Sequence, residues 1–185
     1  MIVREMTDLL VLDLVDKHLK TNQMVLTVGY DIENLTNPEI SKLYKGEITV
    51  DHYGRRVPKS AHGTINLKGY TSSTRQITDA VMELYDRIVD RNLLVRRMYV
   101  VANHVLDAND ATQERYQQLD IFTNYDEAEE IKEREEAAQQ KEESMQKTVL
   151  TIHKKYGKNS LIKGMNMEEG ATTVERNNQI GGHKK

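Results

Sequence analysis

The sequence contains no cysteine, and this excludes a disulfide framework, a thiolate nucleophile and a cysteine-ligated zinc site. No stretch approaches the roughly 18 consecutive apolar residues of a membrane-spanning helix, and the first residues lack a signal-peptide pattern. We therefore expect a soluble cytoplasmic chain without a membrane partner. Its 185 residues suit one domain of ordinary size with an extension.

Recognisable catalytic patterns are missing as well. The six histidines show no metal-ligand spacing, and the sequence has no HExxH, GxSxG or P-loop pattern. Two pairs of acids, Glu5 with Asp8 and Glu129 with Glu133, are expected on exposed helix faces, where charges at this spacing are normally solvated. We predict no active site and no metal or other cofactor in this chain.

The formal net charge of −3 conceals two oppositely charged regions. Residues 55–97 contain nine basic and four acidic side chains, whereas residues 126–143 contain three basic and nine acidic ones. This asymmetry indicates a basic domain joined to an acidic arm, and it is compatible with nucleic-acid binding by the basic part.

Hydrophobic periodicity predicts two helices and three strands in the first two-thirds of the chain. Apolar side chains at three- and four-residue spacing indicate a helix over residues 2–20 and a second one that follows residues 71–74 and ends near Asp90. Alternating apolar and polar residues indicate strands over residues 24–30, 64–70 and 93–106. Residues 31–62 are rich in turn formers, and we expect a long excursion there with a small hairpin around residues 51–54.

This order of elements predicts an α+β fold in which two amphipathic helices cover one face of an antiparallel sheet. The other face is expected to be small, polar and basic. Its predicted residues are Thr27, Gly29, Thr64, Asn66, Lys68, Arg97, Tyr99 and Asn103. A face that is merely solvated would more often mix charges of both signs.

The turn before the second helix combines hydroxyls, backbone N–H groups and a guanidinium. Its residues are Thr71, Ser72, Ser73, Thr74 and Arg75. Considered alone, this turn is better explained as a helix cap in which Ser73 and Gln76 form a capping box. The first N–H groups of a helix also attract anions. A basic set is predicted on the same side, namely Arg55, Arg56, Lys59, Lys68 and Arg97, so phosphate binding becomes the favoured interpretation.

Residues 118–122 contain the only phenylalanine of the chain, in the order Gln118, Leu119, Asp120, Ile121 and Phe122. Such a stretch can be an ordinary edge strand. It also resembles the short linear motif by which bacterial DNA polymerases hold the sliding clamp. In that interpretation the three apolar side chains enter a pocket of the clamp, and the glutamine forms hydrogen bonds at its rim.

Residues 126–156 have helix propensity throughout and hardly any core. Ile131, Ala138, Met145 and Ile152 fall seven residues apart and form a thin apolar seam. The seam suits docking on a partner or weak self-association, and a solvated single helix is an equally good interpretation. Residues 157–185 show little periodicity, and we predict a flexible tail that ends in a disordered stretch over residues 181–185.

Several segments resemble, in the same order, the C-terminal region of Y-family (UmuC/DinB-like) translesion DNA polymerases. They are TSSTRQITDAVMELYDRI (71–88), LVRRMYV (94–100) and QLDIF (118–122), together with HYGRRVPK (52–59) and GMNMEEGATTVERNN (164–178). The resemblance covers nearly the whole chain, and the order of the pieces makes it specific.

The resemblance implies a little finger domain, which grips the backbone of a primer-template duplex without sequence specificity. The family topology is β-α-β-β-α-β, with one sheet face on the DNA. Arg96 and Arg97 match strand arginines that hold phosphates, and Tyr99 lies on the same strand. Residues 71–75 match the turn at the second helix, and residues 118–122 match the clamp motif, with Ile121 where leucine is commoner. A role in translesion synthesis, DNA repair and the SOS response follows from the family.

The implied organisation is a DNA-binding domain over residues 1–112, a clamp-binding motif over 113–125, a charged helix over 126–156 and a flexible tail over 157–185. The polymerase palm, fingers and thumb have no counterpart here, so magnesium is expected only in a catalytic domain outside this sequence. We therefore do not expect this chain alone to synthesise DNA.

The first strand of the family domain would precede Ile2. If that strand lies at the sheet edge, its loss leaves residues 93–106 unpaired. We expect them to recruit a substitute strand from the C-terminal region or from a second copy of the chain. The main alternative to the whole interpretation is a protein-interaction adaptor that binds the clamp or another partner and has no affinity for DNA.

Overall fold

The computed structural model describes residues 1–112, 125–180 and 183–184, and the predicted α+β class with antiparallel sheets is confirmed. The first part contains α1 (Ile2–Asp16), β1 (Leu19–Tyr30), α2 (Glu33–Thr36), α3 (Pro38–Ser41), β2 (Ile48–Val50), β3 (Arg56–Pro58), β4 (Ala61–Thr71), α4 (Thr74–Ile88), β5 (Val95–Asn103) and β6 (Leu106–Asp107). The second part contains α5 (Tyr125–Tyr156), α6 (Thr173–Asn177), β7 (Gln179–Ile180) and β8 (His183–Lys184). Short 3-10 turns lie at Asp110–Thr112 and Gly164–Met167.

The main sheet has the order β4-β1-β5, and both outer strands run antiparallel to β1. The pair β4–β1 matches Thr64 with Val25, and the pair β5–β1 matches Val101 with the same residue. β6 pairs with the beginning of β1. In the described ranges no strand pairs with the second edge of β5, so the idea that this strand recruits a substitute stays a prediction.

The core lies between one face of the sheet and the helices α1 and α4. Met24, Leu26 and Val28 point to this face from β1 and are fully buried. The helices contribute apolar side chains at helical spacing, of which Val11, Ile77, Val81 and Leu84 are fully buried. Each such side chain stabilises the fold by about 1.5–3 kcal/mol through its removal from water. The described residues leave the opposite face of the sheet open.

The first helix is shorter than the sequence pattern predicts. It ends at Asp16, and the predicted end at residue 20 is wrong. His18 adopts a left-handed conformation with φ of 55° and turns the chain into β1. Leu19 and Lys20 then pair with β6, so tertiary strand pairing overrides the helical periodicity of these residues.

The excursion between β1 and β4 contains the expected small hairpin, formed by β2 and β3. It also contains two short helices, α2 and α3, which the sequence analysis did not predict. Asn34 of α2 is fully buried, and its side-chain amide donates to Leu94 O at 2.8 Å while its oxygen accepts from Leu94 N at 2.7 Å. These bonds fasten the excursion to the segment before β5.

The tail differs from the flexible segment that the sequence predicts, because residues 157–180 form short elements that pack on α1. The backbone N–H of Thr172 donates to Glu5 at 3.1 Å, and its hydroxyl donates to the same carboxylate at 2.8 Å. Lys163 forms an ion pair with Asp8 at 2.8 Å. The prediction that Glu5 and Asp8 lie on an exposed helix face is therefore wrong, since only 1% and 9% of their surface is exposed.

No helix in the described part of the chain has both the length and the apolar character needed to cross a membrane.

Candidate nucleic-acid interface

The open face of the sheet carries polar side chains arranged in rows across the three strands. Asn103 donates to the side-chain oxygen of Gln23 at 3.1 Å, and Gln23 donates to Asn66 at 2.8 Å. Four residues further along β1, Thr27 and His62 share a hydrogen bond of 2.8 Å. These bonds link side chains of neighbouring strands and restrict their orientation on the face.

Arg97 lies across the end of this face, and a glycine makes room for it. Gly29 is its partner on β1, and a Cβ built on Gly29 would lie 3.0 Å from Arg97 Cγ. The guanidinium reaches the neighbouring ring of Tyr99, with 5.9 Å between Cζ and the ring centroid. No described carboxylate lies within ion-pair distance of Arg97. It is therefore available to an external anion.

The turn of the β2–β3 hairpin brings a second arginine to the same end of the sheet. Asp51 accepts from the backbone N–H groups of Tyr53 and Arg55 at 2.9 Å each. Arg55 also donates to Asp51 through Nε at 2.9 Å and through Nη2 at 2.7 Å. Because the Arg55 side chain is the strongest of these influences, the pKa of Asp51 is held below its usual value. The hairpin turn is thus rigid and its charges partly compensated.

The remaining predicted cations at this end differ in their partners. Arg96 pairs with Asp31 at 3.2 Å, and Lys59 pairs with Glu47 at 2.6 Å. A hydrogen bond from the backbone N–H of Glu33 lowers the pKa of Asp31, as does the Arg96 guanidinium, although partial burial opposes both. Arg56 is exposed on β3, and Lys68 is exposed on β4 on the open face of the sheet. Among the described residues neither has a carboxylate within ion-pair distance.

Residues 71–75 are not close to this group, although the sequence predicted all of them on one side. Thr71 pairs with Thr21 at one end of β1, whereas Arg97 pairs with Gly29 at the other. At about 3.3 Å per residue the two ends lie about 26 Å apart. The candidate interface is therefore divided into two clusters, and Lys68 lies nearer to the turn than to Arg97.

The turn at residues 71–75 is also covered by α5. Ser73 caps α4 by accepting from Gln76 N at 3.3 Å, as the predicted capping box requires, but Ser73 N donates to Thr71 Oγ1 at 3.0 Å rather than to the Gln76 side chain. Its hydroxyl donates to Glu142 at 2.6 Å, and Arg75 N donates to the same carboxylate at 3.2 Å. Gln146 is 4% exposed and donates to Ser72 O and to Thr74 Oγ1 at 3.0 and 2.9 Å. An internal carboxylate thus takes the place in which an anionic ligand was predicted.

The predicted clamp motif, with Gln118, Leu119, Asp120, Ile121 and Phe122, lies outside the described residues. Glu129 and Glu133, the second acid pair, lie on α5, but their side chains are not described, so their predicted exposure stays a prediction. Within the described residues no group of three or more acids or histidines could hold a metal ion.

Two contributors to the interface were missed by the sequence analysis. The sequence predicted Asp51 only as part of the small hairpin around residues 51–54, and Tyr53 only there and within the family resemblance. The sequence does contain a local signal for this turn, namely Asp51 followed by Gly54 and Arg55. An aspartate at the first position of a turn commonly accepts hydrogen bonds from the backbone N–H groups that follow it, as Asp51 does here.

The open face can hold a polyanion by charge and hydrogen bonding. The strand register and the hydrogen bonds of Gln23 with Asn66 and Asn103 align the side chains of this face. No family model, no curated protein and no solved structure matches the chain.

Proposed function

We propose that the chain is a DNA-binding and clamp-binding C-terminal region of a Y-family translesion polymerase, and that it grips the duplex backbone without reading sequence. The observation that carries the proposal is the open sheet face, on which Arg97 has no described acidic partner and lies flat against Gly29. Contacts to the phosphates of the DNA backbone position a protein without reading sequence, and a polar face with exposed cations can make such contacts.

The resemblance in the order of the segments supports the same assignment, including the little finger topology. The three main strands and the helices α1 and α4 follow one another as α-β-β-α-β, which is the family order without its first strand. Clamp binding rests on residues 118–122 alone. The parent activity, a DNA-directed DNA polymerase that uses magnesium, belongs to a catalytic domain outside this sequence.

Salt dependence of duplex binding tests the DNA half of the proposal. Counterion release makes the logarithm of affinity fall linearly with the logarithm of salt concentration, by about 0.9 for each phosphate contacted. We expect the double variant Arg96→Ala/Arg97→Ala to flatten this slope by about one, with Arg97 responsible for most of it because Arg96 is already paired with Asp31.

Arg4→Ala is the control for the loss of an arginine away from the sheet face, since it removes one positive charge, against two in the double variant, from an exposed position on α1. Its slope should equal that of the unchanged chain. If the double variant keeps the full slope, the sheet face is not the DNA interface. If no duplex binding occurs even at low salt, the adaptor alternative is correct.

The clamp half of the proposal has its own test. The double variant Leu119→Ala/Phe122→Ala should lose binding to a purified bacterial sliding clamp in calorimetry while keeping its circular dichroism spectrum and its DNA affinity. Clamp binding that survives both substitutions would remove this half of the proposal and leave the other intact.

A further inference from the structure

Two exposed tyrosines at the hairpin end of the open face are each accompanied by an arginine. Tyr53 exposes 76% of its surface and Tyr99 exposes 51%. Arg55 lies over the ring of Tyr53, with 5.1 Å between Cζ and the ring centroid, and Arg97 lies over Tyr99 at 5.9 Å. A grip on phosphates alone has no use for exposed rings, because phosphates bind cations and hydrogen-bond donors. Rings with flanking guanidinium groups suit a flat, negatively charged ligand.

Three of these residues, Tyr53, Arg55 and Arg97, line a crevice between the hairpin turn and the end of the sheet, and Tyr99 lies just outside it, two residues after Arg97 on β5. Gly29 and Tyr30 of β1 line the sheet side of the crevice. The absence of a side chain on Gly29 makes room for Arg97, whose Cγ would lie 3.0 Å from a Cβ built on that residue. The crevice is therefore shaped by the register that brings Arg97 opposite Gly29.

The crevice has a net positive charge that is concentrated on one side. Arg55 is compensated by Asp51 at 2.7 Å and Arg96 by Asp31 at 3.2 Å. Arg97 has no described carboxylate within ion-pair distance and keeps its full charge. An anion is consequently attracted to the Arg97 side, while the Tyr53 side offers an open ring surface.

Tyr53 is held in position before a ligand binds. Its backbone N–H donates to Asp51 at 2.9 Å, and its ring meets that of His52 edge to face, with 5.5 Å between the centroids. Arg55, which covers part of the ring, is fixed to Asp51 through two of its N–H groups. A ring that is already ordered loses little conformational entropy when a base stacks on it.

We infer that this crevice binds an unpaired base of single-stranded DNA, with the base on Tyr53, its phosphate at Arg97 and the neighbouring base on Tyr99. The inference rests on the proposed function, and it adds that the hairpin end of the face prefers a single strand to a duplex. Stacking on aromatic rings does not depend on base identity, so the site remains indifferent to sequence. Bases in a duplex are already stacked on one another and do not present their faces to the protein.

Fluorescence anisotropy of the full chain with a labelled homothymidine strand and with a duplex of the same length tests the inference. Tyr53→Ala should weaken single-strand binding about tenfold, the loss typical of one stacked base, and leave duplex binding unchanged. Tyr53→Phe keeps the ring and should keep the affinity. Tyr156→Ala is the matched control, because Tyr156 on α5 is 65% exposed and carries Lys155 at 5.1 Å from its ring centroid.

The outcomes separate the inference from the function on which it rests. Duplex binding with normal salt dependence, together with single-strand binding that Tyr53→Ala does not change, overturns the inference and keeps the function. Absence of binding to either DNA overturns both. An equal loss in Tyr53→Ala and Tyr156→Ala shows that exposed rings act unspecifically, and this result also overturns the inference.

Discussion

Two glycines in the main sheet have opposite surroundings, one on each face. A Cβ on Gly29 would approach Arg97 Cγ at 3.0 Å and Nε at 3.1 Å, and both atoms belong to an exposed side chain with room on its solvent side. A Cβ on Gly63 would approach Leu84 Cδ1 at 3.0 Å and Ile88 Cγ2 at 3.2 Å, and both belong to the core under α4. The same substitution therefore tests the function at one position and the packing at the other.

We expect Gly63→Ala to lower the free energy of unfolding by about 1–3 kcal/mol, because an added methyl group must displace packed core side chains. Gly29→Ala should change it by no more than about 0.5 kcal/mol, as is usual for substitutions that meet only mobile surface groups. Urea denaturation gives both values. Gly29→Ala should nevertheless weaken DNA binding, since the new methyl group lifts Arg97 from the face.

Equal stability losses in the two variants would show that Arg97 is packed as firmly as the core. Unchanged DNA affinity in Gly29→Ala would show that the flat position of Arg97 does not matter for binding.

At the scale of single elements, α5 docks through a polar side rather than through its apolar seam. The described side chains that face the domain include Glu142, Gln146 and Leu150, and Lys154 pairs with Asp16 of α1. Met145, a member of the predicted seam, is 62% exposed. The seven-residue spacing therefore does not mark the docking side, because hydrogen bonds to the first turn of α4 determine the orientation of the helix.

The double variant Glu142→Ala/Gln146→Ala should loosen α5 while the domain stays folded. The double variant removes two hydrogen bonds of Glu142 and two of Gln146. Each of these four bonds contributes about 1 kcal/mol net, so together they account for a substantial part of the free energy that docks α5. Hydrogen exchange should become faster in residues 134–156 and at Arg75 N. Glu135→Ala, an exposed change on the same helix, is the control. Unchanged exchange in the double variant would mean that apolar contacts such as those of Leu150 hold the helix.

The sequence predicts those elements whose signal is local and misses those that depend on distant partners. Alternation in β1 and the helical stripe of α4 are visible because their buried residues follow a regular spacing. The helix α2 is short and is fixed by bonds between Asn34 and Leu94, which no local pattern reveals. Alternation in β5 predicts that Arg97 and Tyr99 lie on the same face of the sheet. The crevice beside them depends on where the β2–β3 hairpin packs against the sheet, which no local pattern reveals.

In the whole molecule, the contact between Glu5 and Thr172 joins two segments that lie 167 residues apart in sequence. Glu5 of α1 accepts from the backbone and the hydroxyl at the start of α6, and a negative charge at this position also interacts favourably with the helix dipole. Glu142 does the same for α4. Two carboxylates from other parts of the chain therefore hold the C-terminal elements against the domain.

The Glu5 contact gives the tail a dependence on acidic pH. Burial raises the pKa of Glu5, but the hydrogen bonds from Thr172, together with the neighbouring polar groups of Thr173, outweigh it and hold the pKa below the ordinary value of 4.5. Since the unfolded chain binds the proton more readily than the folded one, the stabilising contribution is fully present above that ordinary value. It is lost as the pH falls through the lowered pKa of the folded state.

Glu5→Gln should remove this pH dependence and cost about 1–3 kcal/mol at neutral pH, the usual effect of replacing a buried hydrogen-bonded charge. Urea denaturation from pH 7 downwards measures both effects, and hydrogen exchange of residues 164–177 reports the docking of the tail itself. Glu39→Gln, an exposed change on α3, should behave like the unchanged chain. A tail that stays protected in Glu5→Gln at every pH would show that the ion pair of Lys163 with Asp8 suffices to hold it.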